Sequence, residues 1–141
     1  MADILHQFNI QAGNQKIFDA FCTSEGLNNW WPARSTGQPN KGKEYSFWFG
    51  PEYDWRGVVT HVIPGKSLTW KMSQASEDWM DTQVGFTLSA AKDGTRVSFF
   101  HKGWKEPNEH YAISSFCWAS LLTGLKNYVE KGVIVPFEQR Q

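Results

Sequence analysis

The sequence predicts an α+β domain with its helices on one side of an antiparallel sheet. Three observations predict this class: one strand precedes two short helical segments, a run of alternating segments is joined by tight turns, and the last long segment has helical periodicity. Strands joined by short turns pair antiparallel, and helices segregated to one face are typical of α+β domains. The 141 residues contain no repeat or linker, so one domain over residues 1–141 is expected.

The first third of the chain contains the first strand and both short helices. Apolar residues alternate through Ile4–Ala12, which predicts a half-buried strand. Asn14 is expected to cap the first short helix, and Thr23 or Ser24 the second. The second helix is predicted to end at the adjacent tryptophans before Pro32, because proline cannot continue a helix.

The middle of the chain is predicted to be a meander of antiparallel strands. Residues 33–41, ARSTGQPNK, have the composition of a loop. Lys92-Asp93-Gly94 is expected to form a hairpin turn, because Asp-Gly supplies the positive φ angles that such turns require. Aromatic and β-branched residues alternate between turn signals, which predicts strands at Glu44–Phe49, Tyr53–Ile63, Ser67–Ser73, Trp79–Ala90 and Thr95–Gly103.

The last predicted element is a helix from Glu109 to Lys131. Apolar residues recur in it at three- and four-residue spacing and form one stripe. Gly132 is the expected C-terminal cap, and Lys126 lies favourably near the negative end of the helix. A curved sheet wrapped around this helix leaves a space between them, which large aromatic side chains would line.

Composition excludes several classes of function. Fourteen basic residues balance fourteen acidic ones, so no nucleic-acid partner is expected. Eight Trp, ten Phe and four Tyr exceed what a small core needs, which indicates a cavity or an interface. There is no secretory signal and no eighteen-residue apolar stretch. Cys22 and Cys117 form no disulfide or zinc pattern and are expected to be buried, so a reduced, cytoplasmic protein without a membrane span is predicted.

Five segments, in order along nearly the whole chain, resemble one protein family. The segment GVVTHVIPGKSLTW matches the pattern Gly-x-Val-x-x-Val-x-Pro-x-x-x-Leu-x-Trp. This pattern resembles a signature of the activator of heat-shock protein 90 ATPase homologues, which belong to the START-like (SRPBCC) helix-grip superfamily. The matching segments are Phe18–Trp31, Gly42–Phe49, Gly57–Trp70, His101–Trp104 and Trp118–Gly132.

The resemblance implies a fold and a choice of functions. It implies a helix-grip cup of sheet and helices with an internal apolar cavity. Members of the superfamily bind lipids, polyketides, hormones or similar apolar molecules, and a few catalyse cyclisation or dehydration. The namesake activates a chaperone through a separate N-terminal domain. That domain is expected to be absent here, because the chain starts at the first strand, so chaperone activation is the less favoured reading. A homodimer is left open.

The candidate ligand-binding residues are mostly aromatic. For any single member, plain core packing is an equally good interpretation; as a group they favour a pocket, because a buried indole N–H needs a partner. Arg34, Arg56, Lys71 and one histidine are candidates for polar contacts at the rim. The candidate set is Trp30, Trp31, Phe47, Phe49, Trp55, Trp70, Phe86, Phe99, His101, Tyr111, Trp118 and Leu122.

Catalytic and metal chemistry find little support. His6, His61, His101 and His110 have no metal-ligand spacing, and no serine lies in a Gly-x-Ser-x-Gly motif. No catalytic residue, metal or cofactor is therefore predicted. Binding of an apolar small molecule in the cavity is the favoured function. An enzyme would instead be indicated by a deeply buried histidine or acid facing the cavity, and a chaperone cofactor by an exposed apolar patch far from it.

The adjacent tryptophans, Trp30 and Trp31, are expected to serve different purposes. Neighbouring residues at a helix end point about 100° apart. One indole is therefore predicted to face the cavity, while the other covers the short helices or the pocket entrance.

Overall fold

The computed structural model describes residues 2–140. The strands are β1 (Ala2–Ile10), β2 (Arg34–Thr36), β3 (Glu44–Trp48), β4 (Asp54–Ile63), β5 (Ser67–Gln74), β6 (Gln83–Ala91) and β7 (Gly94–Trp104). The helices are α1 (Asn14–Cys22), α2 (Ser24–Asn28) and α3 (Glu109–Lys131), and a 3-10 turn (Phe137–Gln139) follows them.

Within the described residues, the seven strands form one curved antiparallel sheet in the order β1-β7-β6-β5-β4-β3-β2. Each strand from β2 to β6 pairs with the next along the chain, and β1 pairs with the other side of β7. In β4 the register shifts between Arg56 and Gly57 and again between Val59 and His61. Such irregularities bend a strand and increase its twist. The predicted α+β class, with two short helices after the first strand, is confirmed.

Helix α3 has the bounds that its apolar periodicity predicts. The Asn108 side chain caps its first turn by accepting a hydrogen bond from the Tyr111 backbone N–H at 2.9 Å, and Gly132 ends it with a left-handed φ of 70°. The helix packs against β1 and α1, and its buried residues are Ser114, Trp118, Leu122, Leu125 and Val129. Between residues 2 and 140, no helix has both the length and the hydropathy needed to cross a bilayer.

The core between sheet and helices is dense in aromatic rings. Tyr45, Phe47, Trp70 and Phe86 are each at most 1% exposed. The Tyr45 hydroxyl donates to the Cys22 carbonyl oxygen at 2.6 Å, which fastens the end of α1 to β3. Burial raises the pKa of the Cys22 thiol, so this cysteine behaves as the small buried apolar side chain that the sequence predicts.

Helix capping in the N-terminal third follows the sequence only in part. Thr23 caps α2 as predicted, with its hydroxyl accepting from the Gly26 N–H at 3.0 Å. Asn14 does not cap α1: the N-cap is Gly13, which makes no side-chain cap. The Asn14 amide instead donates to the Gly65 carbonyl oxygen at 2.9 Å, so a long-range contact replaces the local one.

Three strand predictions are corrected by the structure. Residues 34–36 form β2, because they pair with β3 although their composition is that of a loop. Trp79 lies in a turn before β6, where the Asp81 N–H and the Met72 carbonyl oxygen bond at 3.0 Å. In the β6–β7 hairpin Ala91 pairs with Gly94, so the two loop residues are Lys92 and Asp93 and not the predicted Asp93 and Gly94. The positive φ of this hairpin is at Gly94, at 152°.

Candidate functional site

A cleft of about 450 Å³ opens beside the N-terminal half of α3. We call it the α3 cleft. The β3–β4 connection, the turn before β6 and the segment that follows α3 form its other walls. Its volume lies within the roughly 300–1,000 Å³ typical of small-molecule sites. The walls are mostly apolar and consist of Trp31, Phe49, Tyr53, Trp55, Trp79, His110, Ile113, Ser114, Cys117, Trp118, Leu121, Phe137, Glu138 and Arg140.

Five of the wall residues form a closed ring of aromatic side chains. The ring centroids of Trp31 and Phe49 are 5.9 Å apart, and those of Phe49 and Trp55 are 5.6 Å apart. Trp55 lies 4.7 Å from Trp79, which lies 5.8 Å from Trp118. Trp118 closes the ring at 4.9 Å from Trp31. Because aromatic rings are rigid and apolar, they give the cleft a wall of defined shape.

Hydrogen bonds hold Trp79 and Trp31 in place. The Trp79 indole N–H donates to the Ser114 hydroxyl at 3.3 Å, across the cleft wall onto α3. The Trp31 backbone N–H donates to the Leu27 carbonyl oxygen at 3.0 Å, which holds this residue against the end of α2. These contacts join the turn before β6 and the end of α2 to the framework of the fold.

A directional chain of hydrogen bonds holds Trp118 from behind the cleft. Its indole N–H donates to His101 Nδ1 at 3.1 Å. Since an indole N–H can only donate, Nδ1 carries no proton, and the neutral imidazole is protonated at Nε2. Nε2 then donates to the Thr82 hydroxyl at 2.9 Å, and this hydroxyl donates to the Trp79 carbonyl oxygen at 2.6 Å. His101 and Thr82 thus connect Trp118 with Trp79, two of the five aromatic residues on the cleft wall.

His101 is completely buried. Burial lowers its pKa to about 3, with a smaller contribution from the charge of His110. The imidazole is therefore neutral at physiological pH, and both of its nitrogens are already bonded. It supports the cleft wall and is not part of its lining.

Ionisable groups lie on the cleft wall and beside it. His110 Nδ1 donates to Asp78 at 2.9 Å, and this bond is the main reason why the pKa of Asp78 is lowered. The Arg140 guanidinium donates to the Pro32 carbonyl oxygen at 3.1 Å and fastens the C-terminal segment, residues 133–140, to the corner after Trp31. Glu138 is an exposed wall residue on the same segment.

Comparison with known proteins identifies the family. The family model described as "Activator of Hsp90 ATPase homolog 1-like protein" matches residues 11–130. The chain belongs to this family. The match runs from the residue after β1 almost to the end of α3, so it includes every strand from β2 to β7. A search of curated proteins finds no match.

Solved structures show the same helix-grip fold. The solution structure of the Aha1 dimer from Colwellia psychrerythraea has 32% identity and a TM-score of 0.85, covering 94% of this chain and 98% of that chain. A Staphylococcus saprophyticus protein has 20% identity and a TM-score of 0.79, with 95% and 96% covered. A Bacillus halodurans protein has 22% identity and a TM-score of 0.77, with 92% and 98% covered. The latter two show the fold alone.

The structure places four of the twelve candidate residues on the walls of the α3 cleft: Trp31, Phe49, Trp55 and Trp118. Trp30 is outside the cleft lining, and its indole N–H donates to the Ala20 carbonyl oxygen at 2.9 Å. Of the adjacent tryptophans only Trp31 lines the cleft, and the two indoles stack on each other with their ring centroids 6.0 Å apart. The remaining candidates are outside the cleft lining: Phe47, Trp70, Phe86, Phe99, His101, Tyr111 and Leu122.

The predicted rim residues lie elsewhere, and other residues take their place. Arg34 stacks on Trp48 at 3.9 Å from the ring centroid, and Arg56 pairs with Asp54 at 2.8 Å. Neither these two nor Lys71 line the cleft. Ten wall residues were not predicted from the sequence. Those on α3 repeat every three or four positions beside the buried stripe, and this repeat could have identified them. The ten residues are Tyr53, Trp79, His110, Ile113, Ser114, Cys117, Leu121, Phe137, Glu138 and Arg140.

Metal ligation has no basis in the described residues. Between residues 2 and 140, no three or more His, Cys, Asp or Glu side chains come close enough together to hold a metal ion. The two cysteines are free thiols: Cys22 is buried, and Cys117 is half-buried on the cleft wall.

Proposed function

We propose that this chain binds an apolar small molecule, a lipid, polyketide or similar compound, in the α3 cleft. The closed ring of Trp31, Phe49, Trp55, Trp79 and Trp118 carries this proposal. An apolar cavity with a few polar groups at its mouth is the usual form of a small-molecule site.

The walls indicate how a ligand is held. Contact with the five aromatic side chains would remove apolar surface of the ligand from water. Each Å² of apolar surface buried in this way contributes about 25 cal/mol to the free energy of binding. His110, Glu138 and Arg140 supply the polar contacts that fix its orientation at the mouth. A ligand with an apolar body and one polar end matches this distribution.

Two other functions have weaker support. A cyclase or dehydratase needs an acid–base group that touches the ligand. The buried histidine with a shifted pKa, His101, has both nitrogens bonded and lies behind Trp79 and Trp118. The acid–base groups that do line the cleft, His110 and Glu138, are accessible to solvent and are assigned above to orienting the ligand. A chaperone cofactor, as the family description suggests, needs an apolar docking patch. On the strands, Leu5 and Ile63 are exposed singly, at 65% and 45%, and single exposed apolar residues are ordinary. The exposed Phe116 of α3 is assigned below to contact with a second copy of the chain.

A binding titration with matched variants tests the proposal. The purified chain is titrated with an anilinonaphthalene dye and with a fatty acid, in the parent and in Trp55→Ala and Trp48→Ala. Both tryptophans are half-buried, but only Trp55 lines the cleft. Trp55→Ala should weaken binding about tenfold, since losing a buried aromatic contact costs roughly 1–3 kcal/mol. Trp48→Ala should bind like the parent.

The adjacent tryptophans provide a second readout. Trp31→Phe should reduce the ligand-dependent fluorescence change, while Trp30→Phe should retain it, because of these two tryptophans only Trp31 lines the cleft. Native mass spectrometry of gently purified protein would also reveal a retained ligand. Absence of saturable binding in the parent, or equal effects of Trp55→Ala and Trp48→Ala, would exclude the α3 cleft as the site.

We also propose that the chain forms a homodimer. The Colwellia psychrerythraea relative, at 32% identity, is described as a dimer. Phe116 on α3 is 74% exposed, which is unusual for so large an apolar side chain. Light scattering should give twice the monomer mass of 16.2 kDa.

A further inference from the structure

The outer face of α3 has no charged side chain along most of its length. Residues 111–125 contain no Asp, Glu, Lys, Arg or His. On the outer side of this stretch, Ile113 and Phe116 are 52% and 74% exposed. A surface helix normally carries charged residues on its solvent side, and an apolar stripe there marks a contact surface.

A groove lies beside this stripe, one turn from Phe116. It has a volume of about 350 Å³, and its α3 wall includes Ser120, Gly124 and Asn127. A cavity of roughly 150 Å³ is enough to hold benzene, so a phenyl ring fits. A Cβ at Gly124 would meet nothing within 4 Å, so no contact inside the chain explains a glycine there. Glycine weakens a helix interior, but it permits another chain to approach closely.

Residues of opposite charge lie at the two ends of this helix face. Glu109 and Lys131 are both exposed. At 100° per residue, the directions of Phe116, Ser120 and Lys131 around the helix are within about 40° of that of Glu109. Glu109 lies 11 residues before Ser120 and Lys131 lies 11 after it, while Phe116 lies 4 before and Gly124 lies 4 after.

We infer that α3 pairs with the same helix of a second copy, antiparallel, about a two-fold axis at Ser120. This inference rests on the homodimer proposed above and assigns its surface. An antiparallel pair centred at Ser120 places Phe116 opposite the partner's Gly124 and Glu109 opposite the partner's Lys131. Each copy thus gives one phenyl ring and receives one, as an isologous interface requires.

The symmetry of the face favours a second copy over an unrelated partner. A projecting ring, a groove that receives it and two opposite charges lie at matched distances from one residue. The small side chain of Ser120 allows the helix axes to approach closely at the centre. The peripheral charges mainly select the antiparallel orientation, because exposed ion pairs contribute little affinity.

Surface variants test the face itself. Dimer dissociation is measured by sedimentation velocity over a concentration series for the parent, Phe116→Glu and Leu5→Glu. Leu5, on β1, is 65% exposed and is the matched control. Phe116→Glu should raise the dissociation constant at least about 30-fold, as for a buried aromatic anchor. Leu5→Glu should leave it unchanged, and circular dichroism should show both variants folded.

Cross-linking tests the position of the axis. In a Cys117→Ser background, Ser120→Cys should oxidise readily to a covalent dimer, because the two copies of residue 120 meet at the axis. Ala112→Cys is the control, since its two copies would lie about 24 Å apart along the helices, at 1.5 Å per residue. The two charge reversals, Glu109→Lys and Lys131→Glu, should each weaken the dimer, and together they should restore it.

The possible results distinguish the two proposals. A parent that stays monomeric at all concentrations overturns the homodimer and this interface with it. A dimeric parent whose assembly is unchanged by Phe116→Glu keeps the homodimer and overturns the α3 interface. Loss of dimer in Phe116→Glu without cross-linking at Ser120→Cys overturns the two-fold position. The inference is supported if Phe116→Glu loses the dimer and, in the separate cross-linking experiment, Ser120→Cys forms a covalent dimer while Ala112→Cys does not.

Discussion

Acidification should destabilise the fold through His101, more than through any ordinary surface histidine. This imidazole is completely buried and neutral, with one nitrogen accepting from Trp118 and the other donating to Thr82. A second proton would have to sit on Nδ1, which is already occupied by the indole N–H. Protonation is therefore available mainly to the unfolded chain.

The size of the effect follows from the shift in pKa. Burial lowers the pKa of His101 from 6.5 to about 3. As the pH falls, the unfolded chain binds the proton first, so the free energy of unfolding falls. The contribution is fully present above about pH 6.5 and is lost progressively towards about pH 3. Between about pH 7 and about pH 5 the loss is about 2 kcal/mol.

Urea unfolding at both pH values, followed by tryptophan fluorescence at one protein concentration, measures this loss. His101→Asn is the comparison, because its amide oxygen can still accept from the Trp118 indole but does not titrate. The other three histidines are unchanged in the variant, so their contributions largely cancel. The parent should lose about 2 kcal/mol more than the variant between the two pH values. Equal losses would refute the closed hydrogen-bond chain around His101.

Three further changes should affect stability, each measured by urea unfolding at neutral pH. Trp118→Ala should cost about 3–5 kcal/mol because it removes a nearly inaccessible indole that packs against Trp31 and Phe99; a loss below about 1 kcal/mol would show that these contacts contribute little to stability. Tyr45→Phe should cost about 1–3 kcal/mol, because the Cys22 carbonyl loses its buried donor, and no loss would mean that water replaces it. Gly132→Ala should cost about 1–2 kcal/mol because its φ is 70°; an unchanged midpoint would show that the helix end has relaxed.

Much of the fold could be predicted because its signals are local. The apolar repeat of α3 and the left-handed glycine after it predict the helix and its end, and both lie where expected. Predictions failed where a distant partner decided the outcome. Residues 34–36 form a strand because β3 offers a paired edge. Asn14 leaves its capping position because the Gly65 carbonyl oxygen is within reach.

The candidate site was harder to predict than the fold. Aromatic composition indicates a pocket, but it does not separate an indole on a wall from one in the core. Trp31 lines the cleft while Trp70 is enclosed, although both are nearly inaccessible to solvent. Phe137 and Arg140 belong to a segment without periodicity, so no pattern in the sequence marks them as wall residues.

The class of the domain, the order of its elements, its long helix and its family follow from periodicity, turn chemistry and motifs within short stretches of the chain. The aromatic residues that surround the α3 cleft, the support that His101 gives its wall and the exposure of Phe116 become visible only in the folded chain. These relationships join residues far apart in the sequence. They are set by sheet curvature, helix rotation and packing, which no local pattern encodes.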